Sequence, residues 1–294
     1  MKKIFDKFKK KYLQSLAKYI VLPEEYQALE SSREFFRKII SSMPGEKWVM
    51  SELQDGTMIY LDLLDHGVSL GALFDQYELE ETGFILGALS SGSVFVDIGA
   101  NIGWYSLKAS KIVGEKGRVI AFEPRLSTFL HLKKSIDLNG FKNIEVHNTA
   151  LSNIPGEGTL EWNTSINNPG SSRLVRQSQQ SFSSQNVTVS TLDQILDTGR
   201  EIDFVKIDVE GAEPLVFQGA ASTLKRTKPM ILSEISPEYL KHVSNSSVWD
   251  YLSQMGQYGY SCYLLENGQI GTRIKDWPSI ERDVLNVVFV QSNG

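Results

Sequence analysis

From residue 94 onward the chain alternates short apolar runs with stretches whose apolar residues recur at helical spacing. Val94–Val96, Arg118–Phe122, Ile144–His147, Ile202–Asp208 and Pro229–Glu234 read as strands by length and β-branched content. Between them lie helical patterns at Trp104, Leu107 and Ile112, at Ser127–Leu138, and at Leu215, Val216, Phe217 and Leu224; Asn139-Gly140 stops the second and Pro214 opens the third. A further helix is expected over 246–258. Tyr260–Leu265 and Asp283–Val290 then close the sheet, with Asn267-Gly268 marking a turn after the first of them. Regular alternation of strand and helix predicts a parallel sheet covered on both faces. The last two strands have no clear helix between them and are expected to pair antiparallel.

Before residue 94 the pattern changes. In residues 1–20, Ile4, Phe5, Phe8, Tyr12, Leu13 and Leu16 recur at helical spacing among Lys2, Lys3, Lys7, Lys9, Lys10 and Lys11. The plainer reading is a helix docking on the domain or a partner. The sharper one is a helix lying on an anionic membrane surface. No unbroken apolar core marks a secretory signal there. A second helical stretch covers 24–44. Lys47–Met50 and Thr57–Leu61 read as a hairpin turned at Gln54-Asp55-Gly56, and 70–90 as one helix around Tyr77, Glu78, Phe84 and Leu86. The expected organisation is an extension over 1–75 and a main domain over 76–294. Within it, 153–186 is an insertion rich in Ser, Asn, Gln and Gly, with weak strand signals at Thr159–Trp162. Val187–Ser190 is its returning strand, and Thr191–Leu196 a short helix.

Composition narrows the classes. The net charge of −5 and the absence of a basic stripe in the body of the chain argue against a nucleic-acid partner. The single cysteine, Cys262, excludes an internal disulfide and a multi-cysteine zinc site, and permits a reducing cytoplasm. No run is long and apolar enough for a membrane span.

The chemistry concentrates at strand ends. After Val94–Val96 the sequence runs Asp97-Ile98-Gly99-Ala100-Asn101-Ile102-Gly103-Trp104-Tyr105-Ser106. Strand, glycine turn and helix form the nucleotide crevice of open α/β sheets. The dinucleotide fingerprint needs a second glycine where Asn101 stands, and Asp97 beside the turn repels a pyrophosphate, so a nicotinamide cofactor is disfavoured. S-adenosylmethionine (SAM), with an ammonium and a sulfonium, suits an acidic turn better. Glu123, ending the next strand ~20 residues later, is placed for ribose hydroxyls.

Asp97, Glu123, Asp208 and Glu234 all fall at carboxyl ends of strands, on one expected rim. One such acid alone could as well cap a helix or be solvated. The densest cluster is Lys206, Asp208, Glu210 and Glu213. Alternation puts Lys206 and Asp208 on one face of their strand. A carboxylate here could take a proton from an acceptor hydroxyl, with Lys206 orienting it. A divalent metal held by Asp208 with Glu210 or Glu234 is the other reading. His66, His131, His147 and His242 show no ligand spacing; only His242, after the fifth strand, is a candidate.

Val94–Gly103, Phe122-Glu123-Pro124, Thr149–Ser152, Thr191-Leu192-Asp193, Val205-Lys206-Ile207-Asp208-Val209-Glu210-Gly211-Ala212-Glu213, Gln218-Gly219-Ala220 and Ile231–Glu234 occur in this order. Together they resemble the FkbM family of SAM-dependent methyltransferases over about 76–290. The resemblance implies an α/β class I methyltransferase fold: a Rossmann-like sheet of seven strands in the order 3-2-1-4-5-7-6, strand 7 antiparallel. It implies that Asp97, Gly99, Asn101, Gly103 and Tyr105 lie at the methionine end of SAM. Glu123 takes the ribose, Ala150 lies by the adenine, and Glu78 helps close the site. Asp208 is expected to touch cofactor and acceptor, with Lys206, Glu210 and Glu234 as its catalytic partners. Family acceptors are hydroxyls of sugars, polyketides or lipid-linked glycans, and also peptide amide nitrogens. A cytoplasmic enzyme, at the inner face of the membrane if residues 1–20 bind there, is expected.

Overall fold

A computed structural model describes residues 47–65, 67–162, 172–175, 183–196, 199, 201–275 and 284–292. The expected helices over 1–20 and 24–44, and His66, lie outside the described residues.

The hairpin forms as expected from β1 (Trp48–Glu52) and β2 (Met58–Asp62), paired antiparallel. The main sheet is built on β3 (Val94–Ile98), β4 (Arg118–Phe122) and β5 (Ile144–His147), followed later by β10 (Phe204–Ile207) and β11 (Met230–Ile235). It closes with β12 (Tyr260–Glu266), β13 (Gln269–Arg273) and β14 (Leu285–Gln291). Its spatial order is β13-β12-β14-β11-β10-β3-β4-β5, eight strands rather than seven. β13 is the added one: Asn267-Gly268, both at positive φ, turns β12 straight back onto itself. β3, β4, β5, β10 and β11 run parallel, and β14 is antiparallel to both β11 and β12.

Alternation along the central strands separates two cores. Phe95, Val119, Ala121, Phe204 and Leu232 pack on one face, and Val96, Ile98, Ile120, Val205, Ile207 and Ile231 on the other. The first face is covered by α3 (Trp104–Val113), α4 (Leu126–Asn139), α2 (Leu79–Ala88) and the hairpin. α6 (Glu213–Gln218), α7 (Ala221–Thr227) and α8 (Val248–Gln257) contribute Val216, Phe217, Leu224, Tyr251 and Met255 to the second. The hairpin is locked to α4. Asn139 Oδ1 accepts from Met58 N at 2.8 Å while its Nδ2 donates to Met58 O at 2.7 Å, and Trp48 stacks on His131 at 3.8 Å.

The single helix expected over 70–90 is broken. α1 (Val68–Leu73) and α2 are separated by Phe74–Glu78, where Asp75 (φ 59°) and Glu78 (φ 42°) adopt left-handed backbone. The Asp75 carboxylate fixes the break, accepting from Gln54 N at 2.6 Å and Lys108 Nζ at 3.0 Å. Helical periodicity continues across the break, which is why it was invisible in the pattern.

The described residues of the 153–186 stretch contribute to a second sheet of four strands in the order β6-β9-β7-β8: β6 (Ala150–Leu151), β7 (Gly156–Trp162), β8 (Arg173–Val175) and β9 (Ser183–Ser190). The returning strand is twice as long as its four expected apolar-patterned residues, because its first half pairs through backbone with β7 irrespective of side chains. α5 (Leu192–Ile195) follows, N-capped by Thr191. Among the described residues no helix is long and apolar enough to cross a membrane.

Candidate active site

A cavity of about 270 Å³ opens at the carboxyl ends of β3, β4, β10 and β11. Its floor is the turn after β3. Gly99 (φ 81°) and Asn101 (φ 49°) both take left-handed backbone, a conformation open to glycine and tolerated by asparagine. A Cβ on Gly99 would lie 2.0 Å from Asp208 O, so the turn after β3 packs directly on the turn after β10.

Glu123 ends β4 at the cavity wall. Its two carboxylate oxygens accept from Asn101 N at 2.9 Å and Arg125 N at 2.8 Å. Burial pushes its pKa up to about 7 against those hydrogen bonds. Ala150, expected beside it from the segment after β5, does line the cavity, along with Phe122 and Leu151.

The acidic end comes from three elements. Lys206, on β10, reaches Asp208 Oδ2 at 3.3 Å and lies over the Tyr105 ring at 5.3 Å. Burial alone would lower its pKa; the carboxylates of Asp208, Asp97 and Glu78 outweigh that and raise it. Glu78, carried inward by its left-handed backbone, accepts from Tyr105 Oη. Burial foremost raises its pKa, with Asp208 adding to it and Lys206 opposing. Glu210 sits at φ 55° in the turn after β10, and Glu234 near the end of β11. Both pKa values are pushed above the usual carboxylate range, first by burial and then by Asp208.

Of the sequence-based site residues, Glu78, Gly99, Asn101, Tyr105, Glu123, Ala150, Lys206, Asp208, Glu210 and Glu234 line this one cavity. Asp97, Gly103, Glu213 and His242 do not. Asp97 lies fully buried beside Lys206 in the strand register; its Oδ2 accepts from Ser106 Oγ at 2.5 Å and its Oδ1 has no partner. Gly103 serves packing, since a Cβ there would meet Leu132 Cδ1 at 2.2 Å. Glu213 Oε1 accepts from Val209 N and Gly211 N, bracing the turn from below. His242 is exposed on a π-helical turn (Leu240–Ser244). Sequence reasoning missed Leu160, Ser172 and Leu174, which wall the cavity from β7 and β8, and Thr128 from α4. Only the insertion's position between β5 and β10 signalled them.

The family model described as the methyltransferase FkbM domain matches residues 97–262. The chain belongs to the FkbM methyltransferase family. Its match runs from the acid of the β3 turn to Cys262 on β12 and so includes every cavity-lining strand end. Solved structures similar to this FkbM-family chain include methyltransferase FkbM from Methylobacillus flagellatus KT. The identity is 17% over 94% of this chain and 57% of that one, with a TM-score of 0.42. TYW2 from M. jannaschii in complex with AdoMet is 14% identical over 85% of this chain and 89% of its own, TM-score 0.44. The putative transferase PH0793 from Pyrococcus horikoshii is 15% identical over 91% and 84%, TM-score 0.45. No curated protein matches the sequence.

The residues present fit SAM. The Gly99–Asn101 turn is a cradle with no side-chain bulk at Gly99, and Asp97 Oδ1 is a buried acceptor without a partner beneath it. Ribose hydroxyls would find Glu123, an adenine the apolar Phe122, Ala150 and Leu151, and cationic ends Glu78 and Asp208. Among the described residues no group of three or more His, Cys, Asp or Glu side chains is arranged to hold a metal ion.

Proposed function

We propose that this FkbM-family chain transfers a methyl group from SAM to a hydroxyl of a small-molecule or glycan acceptor, such as a sugar, a polyketide or a lipid-linked saccharide. One observation carries the reading. The glycine turn, the ribose-type acid Glu123 and the carboxylates closing β10 and β11 share a single cavity. When bound, SAM supplies a methyl group on a positively charged sulfur, ready for in-line displacement. The chain's own residues align the two substrates, which is where most of the acceleration of such a displacement comes from. Asp208 and Lys206 belong to the acidic end, and the Asp208 backbone packs against the turn after β3. The net charge of −5 and the acidic cavity support a neutral or cationic acceptor over a nucleic acid.

The test is transfer of labelled methyl from SAM into fractionated host extract, with Asp208→Ala as the blank. Label in a glycan, lipid or small-molecule fraction supports hydroxyl methylation. Label only in a peptide fraction would replace it with methylation of a peptide amide. No label above the blank would remove support for the reading.

A further inference from the structure

Five carboxylates line the cavity: Glu78, Glu123, Asp208, Glu210 and Glu234. Three are engaged by the protein. Glu78 accepts from Tyr105 Oη, Glu123 from two backbone N–H groups, and Asp208 from the Lys206 ammonium. Glu210 and Glu234 accept no side-chain or backbone hydrogen bond from the described residues. Among the described residues Lys206 is the one cation on the wall.

A group that takes a proton in the reaction must present an open lone pair to the acceptor. Only Glu210 and Glu234 do so with both oxygens. The chain also maintains left-handed backbone at a glutamate to put Glu210 there. Gly211 beside it tolerates no side chain, since a Cβ would lie 2.3 Å from Tyr239 O. Glu213 braces the same turn through Val209 N and Gly211 N.

We propose that Glu210 and Glu234 act as one proton-accepting pair for the acceptor hydroxyl, and that Asp208, tied to Lys206, is a positioning residue rather than the base. This rests on the methyl-transfer reading. The acceptor oxygen bonds to the methyl carbon as the carbon–sulfur bond breaks, its electron pair staying on sulfur to leave the neutral thioether. The hydroxyl proton passes to the pair, and from there to solvent. The groups facing the pair are Asp208 and Lys206 on β10, Glu78 at the start of α2, Glu213 on α6 and Tyr239 after β11. Three of them are carboxylic acids, one is a neutral phenol and one is a lysine. Their repulsion favours a proton on the pair, so working enzyme requires that proton to leave first, and turnover rises with pH.

Two measurements test this on the full chain. In protein carrying ¹³C at glutamate side-chain carboxyls, two signals should titrate together, above the ordinary glutamate value of about 4.3. Glu210→Gln should move the Glu234 midpoint downward, and Glu234→Gln the Glu210 midpoint. Midpoints near 4.3 in the wild type, or each indifferent to replacement of the other, would overturn the pair. In the labelled-methyl assay, each Gln variant should lose about 10²–10⁴-fold in turnover. SAM affinity by calorimetry should stay within about twofold, which also shows the variant is folded. Wild-type rate should fall about tenfold per pH unit below the upper midpoint, a fall that moves to lower pH in the Gln variants. A Gln variant with wild-type rate and pH profile would overturn the proton-accepting role. Wild-type protein that binds no SAM, or binds it and labels nothing, would overturn the methyl-transfer reading, while the titration still decides the pairing.

Discussion

Gly99 and Asp208 meet backbone to backbone: a Cβ added to Gly99 would stand 2.0 Å from the carbonyl oxygen of Asp208. The turn after β3 and the turn after β10 therefore cannot shift independently, and the cavity floor and its acidic end are held in one register.

Gly99→Ala must break that contact and also place a side chain at φ 81°. The expected cost is about 1–3 kcal/mol in urea unfolding. SAM affinity by calorimetry should fall at least about tenfold, because the turn must move away from the cavity. Unchanged affinity would separate the turn from the cofactor.

Glu123→Ala removes the acceptor for Asn101 N and Arg125 N as well as the proposed ribose ligand. SAM binding should weaken by about 1.5–3 kcal/mol, the range for hydrogen bonds to a charged group. Calorimetric affinity equal to wild type would place the ribose elsewhere.

Lys206→Met leaves Asp208, Asp97 and Glu78 facing one another in a buried site without their cation. Breaking a buried pair by removing one partner costs about 3–5 kcal/mol. Denaturant titration at neutral pH should show this loss, and it should shrink as the pH is lowered and the acids take up protons.

Glu213 gives a stability signature in pH. Burial raises its pKa to about 7, against an ordinary value of 4.5, despite the N–H groups of Val209 and Gly211. The folded state thus holds the proton more tightly than the unfolded chain. Its contribution is fully present below about 4.5 and is lost as pH rises through about 7. Glu213→Gln should remove that loss, so variant and wild type should diverge between pH 5 and pH 8 in urea unfolding, the variant having the flatter profile. Parallel profiles would count against a buried, proton-holding Glu213.

The parallel core was legible because β3, β4, β10 and β11 are buried on both faces and read as nearly continuous apolar runs. The acids at their ends were legible for the same reason: a charge ending such a run stands out. What periodicity hid were the decisions made by single residues. Asp75 and Glu78 break a helix without disturbing its apolar spacing. Asn267-Gly268 was seen as a turn, yet β13 beyond it is exposed and polar at most positions and carries no pattern. Asp97 and Glu210 are both acids beside glycine turns; one faces inward under the sheet edge and the other into the cavity. Asp97 is placed by its register opposite Lys206 in the sheet, and Glu210 by left-handed backbone in a turn.

The second sheet and the residue before β8 supply Leu160, Leu174 and Ser172 to a cavity whose floor and acidic end come from the turns closing the large sheet's strands. One wall is thus interchangeable and the other is not. Exchanging residues 156–190 for a different loop would redraw the shape offered to an acceptor while Gly99, Asn101 and Glu123 stayed in place. A common transfer engine can in this way be refitted to new chemistry by replacing a removable cheek of the vice, leaving the fixed jaw untouched.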